Sequence, residues 1–158
     1  MGRRLRNLVQ EPSIFFVTTS TLNNKRLFNT VDRLKMVEYM LITQSKIKNV
    51  RLIAYVIMPS HIHFAAFFSG GGPQLSKFMH SLKGRIRKNI FGDTKIWQDR
   101  FDDLHLRSEE QFRIKLNYIH NNPVKAGLVE IAEDWPYSSA RAWATGESKF
   151  LLFDVSNF

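Results

Sequence analysis

Cysteine is absent from the 158-residue chain. That excludes disulfides and thiolate metal sites, and it suits a reducing cytoplasm. No uninterrupted apolar run is long enough to cross a bilayer. The basic opening MGRRLRNLVQ lacks the apolar stretch that follows the charges of a secretory leader. The sequence therefore predicts a soluble, cytoplasmic protein with no membrane partner. Internal repeats and low-complexity tracts are missing too. Acidic residues are scarce: 14 Asp and Glu stand against 23 Lys and Arg, a formal net charge of +9. A balance of that sign favours polyanionic partners, nucleic acid above all, although a basic protein without such a partner would have the same composition.

What is present is ordinary for a globular chain, 44% hydrophobic and 23% charged, and the length suits one domain over 1–158. SIFFVTTS (13–20), rich in β-branched and aromatic residues, predicts a strand. The segment 29–49 predicts a helix capped by Asn29 or Thr30. VRLIAYVIM (50–58) and HIHFAAFF (61–68) predict two antiparallel strands joined by a short turn at Pro59 and Ser60. SGGGP (69–73) reads as a flexible loop. Leu75, Phe78, Met79, Leu82, Ile86 and Ile90 then repeat at helical spacing. A weak strand at 104–107 precedes SEEQ (108–111), a capping box opening a helix that NNP should stop near Asn121. The order strand, helix, strand, strand, helix, strand, helix points to an α+β domain with a mostly antiparallel sheet. A basic arm (1–12) precedes it. A C-terminal extension (124–158) follows, a short helix plus irregular structure held down by Trp135, Tyr137 and Trp143.

Two histidines interrupt the apolar strand 61–68. Residues two apart share a face, so if Ile62 and Phe64 face the core, His61 and His63 both face the other way. Two neutral imidazoles on one face can hold a divalent metal, or they can simply be histidines with hydrogen-bond partners. On the helix after SEEQ, Phe112, Leu116 and Ile119 form an apolar stripe, while Ile114, Tyr118 and Asn122 make a second face. Tyr118 and Asn122, four apart, are surface neighbours. Tyr118 there is a candidate nucleophile or a packing residue with a wet hydroxyl. Asn122 is a candidate third ligand or the N-cap of a short helix begun by Pro123. Lys83, Arg85, Arg87 and Lys88, with Arg3, Arg4 and Arg6 on the arm, can follow a phosphate backbone or form a solvated face.

Taken in order, YVIMPSHIHFAAFF, LSKFMHSLKGRIRK, WQDRF and YIHNNPVKAGLVEIAEDWPYSSARAW resemble the single-tyrosine HUH transposases, and within them the REP-associated tyrosine transposases of bacteria. The resemblance covers nearly the whole chain. It implies a ferredoxin-like sheet and a metal-dependent endonuclease and strand transferase acting on hairpin-containing single-stranded DNA. It makes His61 and His63 the metal-binding pair, with Mg²⁺ or Mn²⁺ as the ion, and Tyr118 the nucleophile that forms a 5′-phosphotyrosine. Asn122 stands where the group has a third ligand, a position often glutamine in the wider family. Ser60 replaces a common asparagine in the PNHxH pattern. Arg100, in WQDRF, becomes a phosphate contact, while Trp97 and Phe101 read as structural. The extension leans toward a monomer, with a homodimer as the other arrangement. A domesticated relative that binds structured single-stranded nucleic acid without transposing would keep most of these features. A hydrolase using water in place of Tyr118 would keep the histidines.

Overall fold

The computed structural model describes residues 3–146. Its centre is a four-stranded sheet of β1 (Ser13–Ser20), β2 (Arg51–Ile57), β3 (His61–Phe68) and β4 (Asp102–Leu106) in the order β2-β3-β1-β4. All neighbouring strands are antiparallel. Helix α2 (Val31–Ile47) connects β1 to β2, and α3 (Gly71–Ile86) connects β3 to β4. This is the expected ferredoxin-like arrangement. Helix α4 (Glu109–Lys125) follows β4, and a short α5 (Ala140–Thr145) lies beyond it; α1 (Arg3–Arg6) precedes the sheet. No helix of the described residues is long and apolar enough to cross a membrane.

Both faces of the sheet are covered, which is why its central strands read as near-continuous apolar runs. On one face Phe15, Val17, Ile62, Phe64 and Phe68 pack against Leu34, Val37 and Leu41 of α2 and Leu75, Phe78, Met79 and Leu82 of α3. On the other face Ile14, Phe16, Ile53, Ala65 and Leu106 meet Phe112 and Ile119 of α4. Strand β2 carries an irregularity between Leu52 and Ala54. One extra residue there resets the alternation, so that Ile53 and Ala54 both fall on the α4 side.

Several local expectations hold. Thr30 is the N-cap of α2, its hydroxyl accepting from the Arg33 N–H at 3.2 Å. Ser108 caps α4 in the same way, accepting from the Gln111 N–H. The Gln111 side chain reaches back to the Arg107 N–H at 2.8 Å, one residue before the cap.

Three expectations are corrected. The glycines of 69–73 are not a free loop: Gly71 and Gly72 are buried in the first turn of α3, under the N-terminal arm. Gly71 has φ +62°, and a Cβ on Gly72 would run into the Arg6 carbonyl. The arm is pinned there by a Gly72 N–H to Val9 carbonyl bond of 2.8 Å.

Arg6 is not free to meet phosphate. Its side chain is 4% exposed and pairs with buried Asp103, donating from Nε at 2.8 Å, and its guanidinium lies 4.0 Å from the centre of the Phe101 ring. A charge so buried is matched inside the fold, not left for a ligand. The side chains of Arg3 and Arg4 lie outside the described ones.

Finally, NNP does not stop α4, which continues through Pro123 to Lys125. Beyond it, the chain returns to the free edge of β2. Trp135 Nε1 donates to the Ile57 carbonyl, Trp143 Nε1 to that of Ile53, and Val56 bridges Ser138. The extension thereby covers backbone groups that an edge strand would leave unpaired. The stretch 147–158 lies outside the described residues.

Candidate active site

Register brings the site together. His63 pairs with Thr18 and His61 with Ser20 across β1 and β3. Their neighbours Ile62 and Phe64 are fully buried on the α2–α3 side. Both imidazoles therefore project toward α4, as the alternation requires.

Each histidine is held through its Nδ1. The His63 Nδ1 lies 2.7 Å from the Thr18 hydroxyl oxygen. The His61 Nδ1 lies 3.1 Å from that of Ser60. The two rings meet edge to face, 4.6 Å between centroids. Helix α4 closes the site. The Asn122 amide oxygen sits 3.1 Å from His61 Nε2, and the Tyr118 ring packs 5.1 Å from the His63 ring. Phe16 forms the floor, stacked on His63 at 5.7 Å and edge-on to Tyr118 at 5.8 Å. Tyr118 stays 40% exposed, so its side chain is reachable from solvent.

Electrostatics keeps the imidazoles neutral. Burial pushes His63 down to about 3, with the charges of His61 and Lys115 acting in the same direction. Burial also lowers His61, opposed by its bond to Asn122. A neutral imidazole has a lone pair to offer a cation. When His61 Nε2 carries the ring proton it donates to Oδ1 of Asn122, 3.1 Å away; when it does not, the two atoms are acceptors that a metal ion can join. Two imidazole nitrogens and one amide oxygen thus fit a divalent cation with positions left for other ligands. The described residues contain no group of three or more His, Asp or Glu suited to a metal.

The basic residues divide. Lys83 is half-buried, donating to the Gln98 carbonyl at 3.0 Å and lying over the Trp97 ring. Arg85 donates to Gln44 Oε1, and Arg87 to the Gly92 carbonyl. Lys88 and Arg100 are exposed. The WQDRF segment lies along the same end of the sheet as the histidines. Trp97 bridges Thr21, and the Gln98 N–H donates to the carbonyl of Ser20, the residue opposite His61. Trp97 is buried and donates to the Lys83 carbonyl, a structural role.

Sequence reasoning missed Phe16, Thr18 and Lys115. The Lys115 ammonium rests 4.7 Å from the Phe16 ring centre and 5.1 Å from that of Tyr118. Its i−3 spacing from Tyr118 was a usable signal. For Phe16 and Thr18 the signal is the cross-strand register, which the sequence does not display.

No family model matches the chain. It is 28% identical over 121 residues to an Escherichia coli (strain K12) protein named REP-associated tyrosine transposase, covering 77% of this chain and 73% of that one. A Haemophilus influenzae protein assigned to the same group is 30% identical over 100 residues, 55% of this chain and 57% of its own. Among solved structures, a REP-associated tyrosine transposase bound to a REP hairpin superposes with a TM-score of 0.76 at 25% identity, covering 90% of this chain and 86% of that chain.

Proposed function

We propose, for a chain that is a relative of the REP-associated tyrosine transposases in sequence and in fold, that it is a metal-dependent single-stranded DNA endonuclease and strand transferase. The observation that carries this reading is the meeting of Tyr118 with His63, 5.1 Å between ring centres, beside the His61–Asn122 contact on one sheet face. Histidines alone would suit a hydrolase. A partly exposed phenol against them supplies a nucleophile that stays attached to the DNA.

A phosphodiester resists attack because its oxygens are negative. A divalent cation, Mg²⁺ or Mn²⁺, on His61, His63 and Asn122 would neutralise that charge. Thr18 and Ser60 fix the rings through Nδ1, and the Phe16 floor keeps Tyr118 oriented. The Tyr118 oxygen attacks phosphorus, losing its proton to solvent. The P–O3′ bond breaks, the departing 3′ oxygen takes a proton, and the 5′ end remains as a phosphotyrosine ester. A DNA 3′-OH reverses the step on another strand without ATP, because phenolate leaves more readily than an alkoxide. His61, His63, Asn122 and Tyr118 all come from one chain, so a monomer suffices for the chemistry. Exposed Lys88 and Arg100 are the best phosphate contacts of the DNA-binding set; Lys83, Arg85 and Arg87 already have partners in the fold.

The test is a denaturing gel with labelled hairpin-containing single-stranded DNA from the repeats flanking the gene, with and without Mn²⁺. The expected result is a metal-dependent protein–DNA adduct that disappears in Tyr118→Phe. Equal cleavage by both proteins without an adduct would make this a hydrolase. Tight binding without cleavage would leave it a nucleic-acid binder.

A further inference from the structure

Lys115 is placed in a way that packing alone does not explain. It stands one turn before Tyr118 on α4, on the same side of the helix. Its ammonium hovers over two rings of the site, Phe16 at 4.7 Å and Tyr118 at 5.1 Å. Among the described residues it makes no ion pair and donates no hydrogen bond. The cations of the expected DNA-binding set mostly lack that freedom. Arg6 is locked on Asp103, and Lys83, Arg85 and Arg87 each donate within the fold.

A half-buried ammonium held only by ring faces is in a partly satisfied state. Cation–π contact is worth about 0.5–2 kcal/mol, less than a charge-assisted bond to an oxyanion. The lysine stem can swing its charge to any anion that arrives beside the Tyr118 ring without breaking a bond of the fold. An anion arriving there is what the proposed reaction requires.

Resting on that reading of the site, we infer that Lys115 is a substrate contact: its ammonium grips a non-bridging oxygen of the DNA phosphate presented to Tyr118. It draws that phosphate to the nucleophile from the side of the tyrosine ring, across the site from Asn122. It acts as a fixed charge, with no proton transferred. Two of the phosphate's oxygens would then be served from different sides, one by Lys115 on α4 and one by the cation that His61, His63 and Asn122 would hold.

The experiment is a charge-deletion scan. In a Tyr118→Phe background, which cannot form the ester, binding is measured to the repeat-derived hairpin DNA. Each phosphate flanking the hairpin is replaced in turn by a neutral methylphosphonate. One position should weaken binding by about tenfold, the scale of a charged hydrogen bond. Adding Lys115→Gln should abolish the effect of that position and no other, and Lys115→Arg should restore it. Wild-type Tyr118 carrying Lys115→Gln should form adduct about 10- to 100-fold more slowly. If lysine and methylphosphonate losses add independently at every position, the contact does not exist and the inference is overturned. A lysine that merely braces the helix would weaken all positions alike, which also overturns it. Position-specific coupling without any adduct from the wild type would keep the Lys115 contact while removing the nuclease reading.

Discussion

Thr18→Val changes one atom of consequence. The side chain keeps its shape but loses the hydroxyl that lies 2.7 Å from His63 Nδ1. His63 is 4% exposed, so water is a poor replacement partner. A buried polar group left without its bond costs about 1–3 kcal/mol. For a domain of this size that is a fall in Tm of roughly 2–4 °C per kcal/mol. The second effect falls on the proposed metal ion. A freed imidazole can rotate, and loss of a partner of this kind typically weakens metal binding about 10- to 100-fold. At a Mn²⁺ concentration 100 times Kd the wild type should gain ~2.7 kcal/mol of stability, and a variant binding tenfold more weakly only ~1.4. Urea titrations with and without Mn²⁺ read both quantities from the same protein. Adduct formation should recover at high Mn²⁺, because Tyr118 itself is untouched. If Thr18→Val lowers metal-free stability but leaves the Mn²⁺ increment and the metal dependence of adduct formation unchanged, the Thr18–His63 bond is packing and nothing more. If neither stability nor metal response moves, the bond contributes nothing at all.

Two further outcomes follow from buried charge. Arg6→Ala should destabilise the fold by about 3–5 kcal/mol, because it takes the guanidinium away from the buried Asp103 carboxylate; urea unfolding checks this, and a loss of DNA affinity at unchanged stability would contradict a purely internal Arg6. Stability should also fall in acid. Burial holds His63 near 3 and His120, on α4, near 4 in the folded chain, against an ordinary value of 6.5. Their neutral forms support the fold fully above about pH 6.5. Below that pH the unfolded chain binds protons that the folded chain refuses, so stability drops by up to about 1.4 kcal/mol per pH unit for each histidine. Urea midpoints measured without metal between about pH 7 and about pH 4.5 test this, and a flat profile would refute it.

Local patterns carried much of the fold. Strands β1 and β3 are legible to the residue because alternation and β-branched composition act over neighbours only. The caps at Thr30 and Ser108 are legible for the same reason. What escaped depends on contacts distant in sequence. The glycines at 71 and 72 read as part of a flexible loop, yet they are where the arm's backbone comes too close for a side chain. Arg6 looks like a DNA contact until Asp103, 97 residues away, is placed beside it. The bulge in β2 depends on pairing with β3. The same limit applied to the site. His61 and His63 announced themselves by spacing, and Tyr118 by its helical face. Thr18 became visible only when β1 was set against β3.

Asn122 shows how a local rule can give the wrong geometry around a candidate residue. Proline after asparagine normally marks a helix start, with the asparagine oxygen spent on a backbone N–H of the next turn. Had α4 stopped at Asn121, Asn122 would have capped a new helix, and its side chain would have been occupied. The helix instead runs on through buried Pro123. The cost is one backbone hydrogen bond, the one that residue 123 would have given to the carbonyl of Ile119. It is borne in the last turn, where that loss disturbs the fewest following bonds. Continuity keeps Asn122 one turn from Tyr118 and leaves its amide oxygen to face His61 Nε2 at 3.1 Å instead of a backbone N–H. Candidate nucleophile and candidate third ligand thus ride on one rigid element, against a histidine pair held on another. A helix broken at Asn121 would set their separation by a flexible joint. The proline that seemed to end the helix lies inside the element that fixes the site.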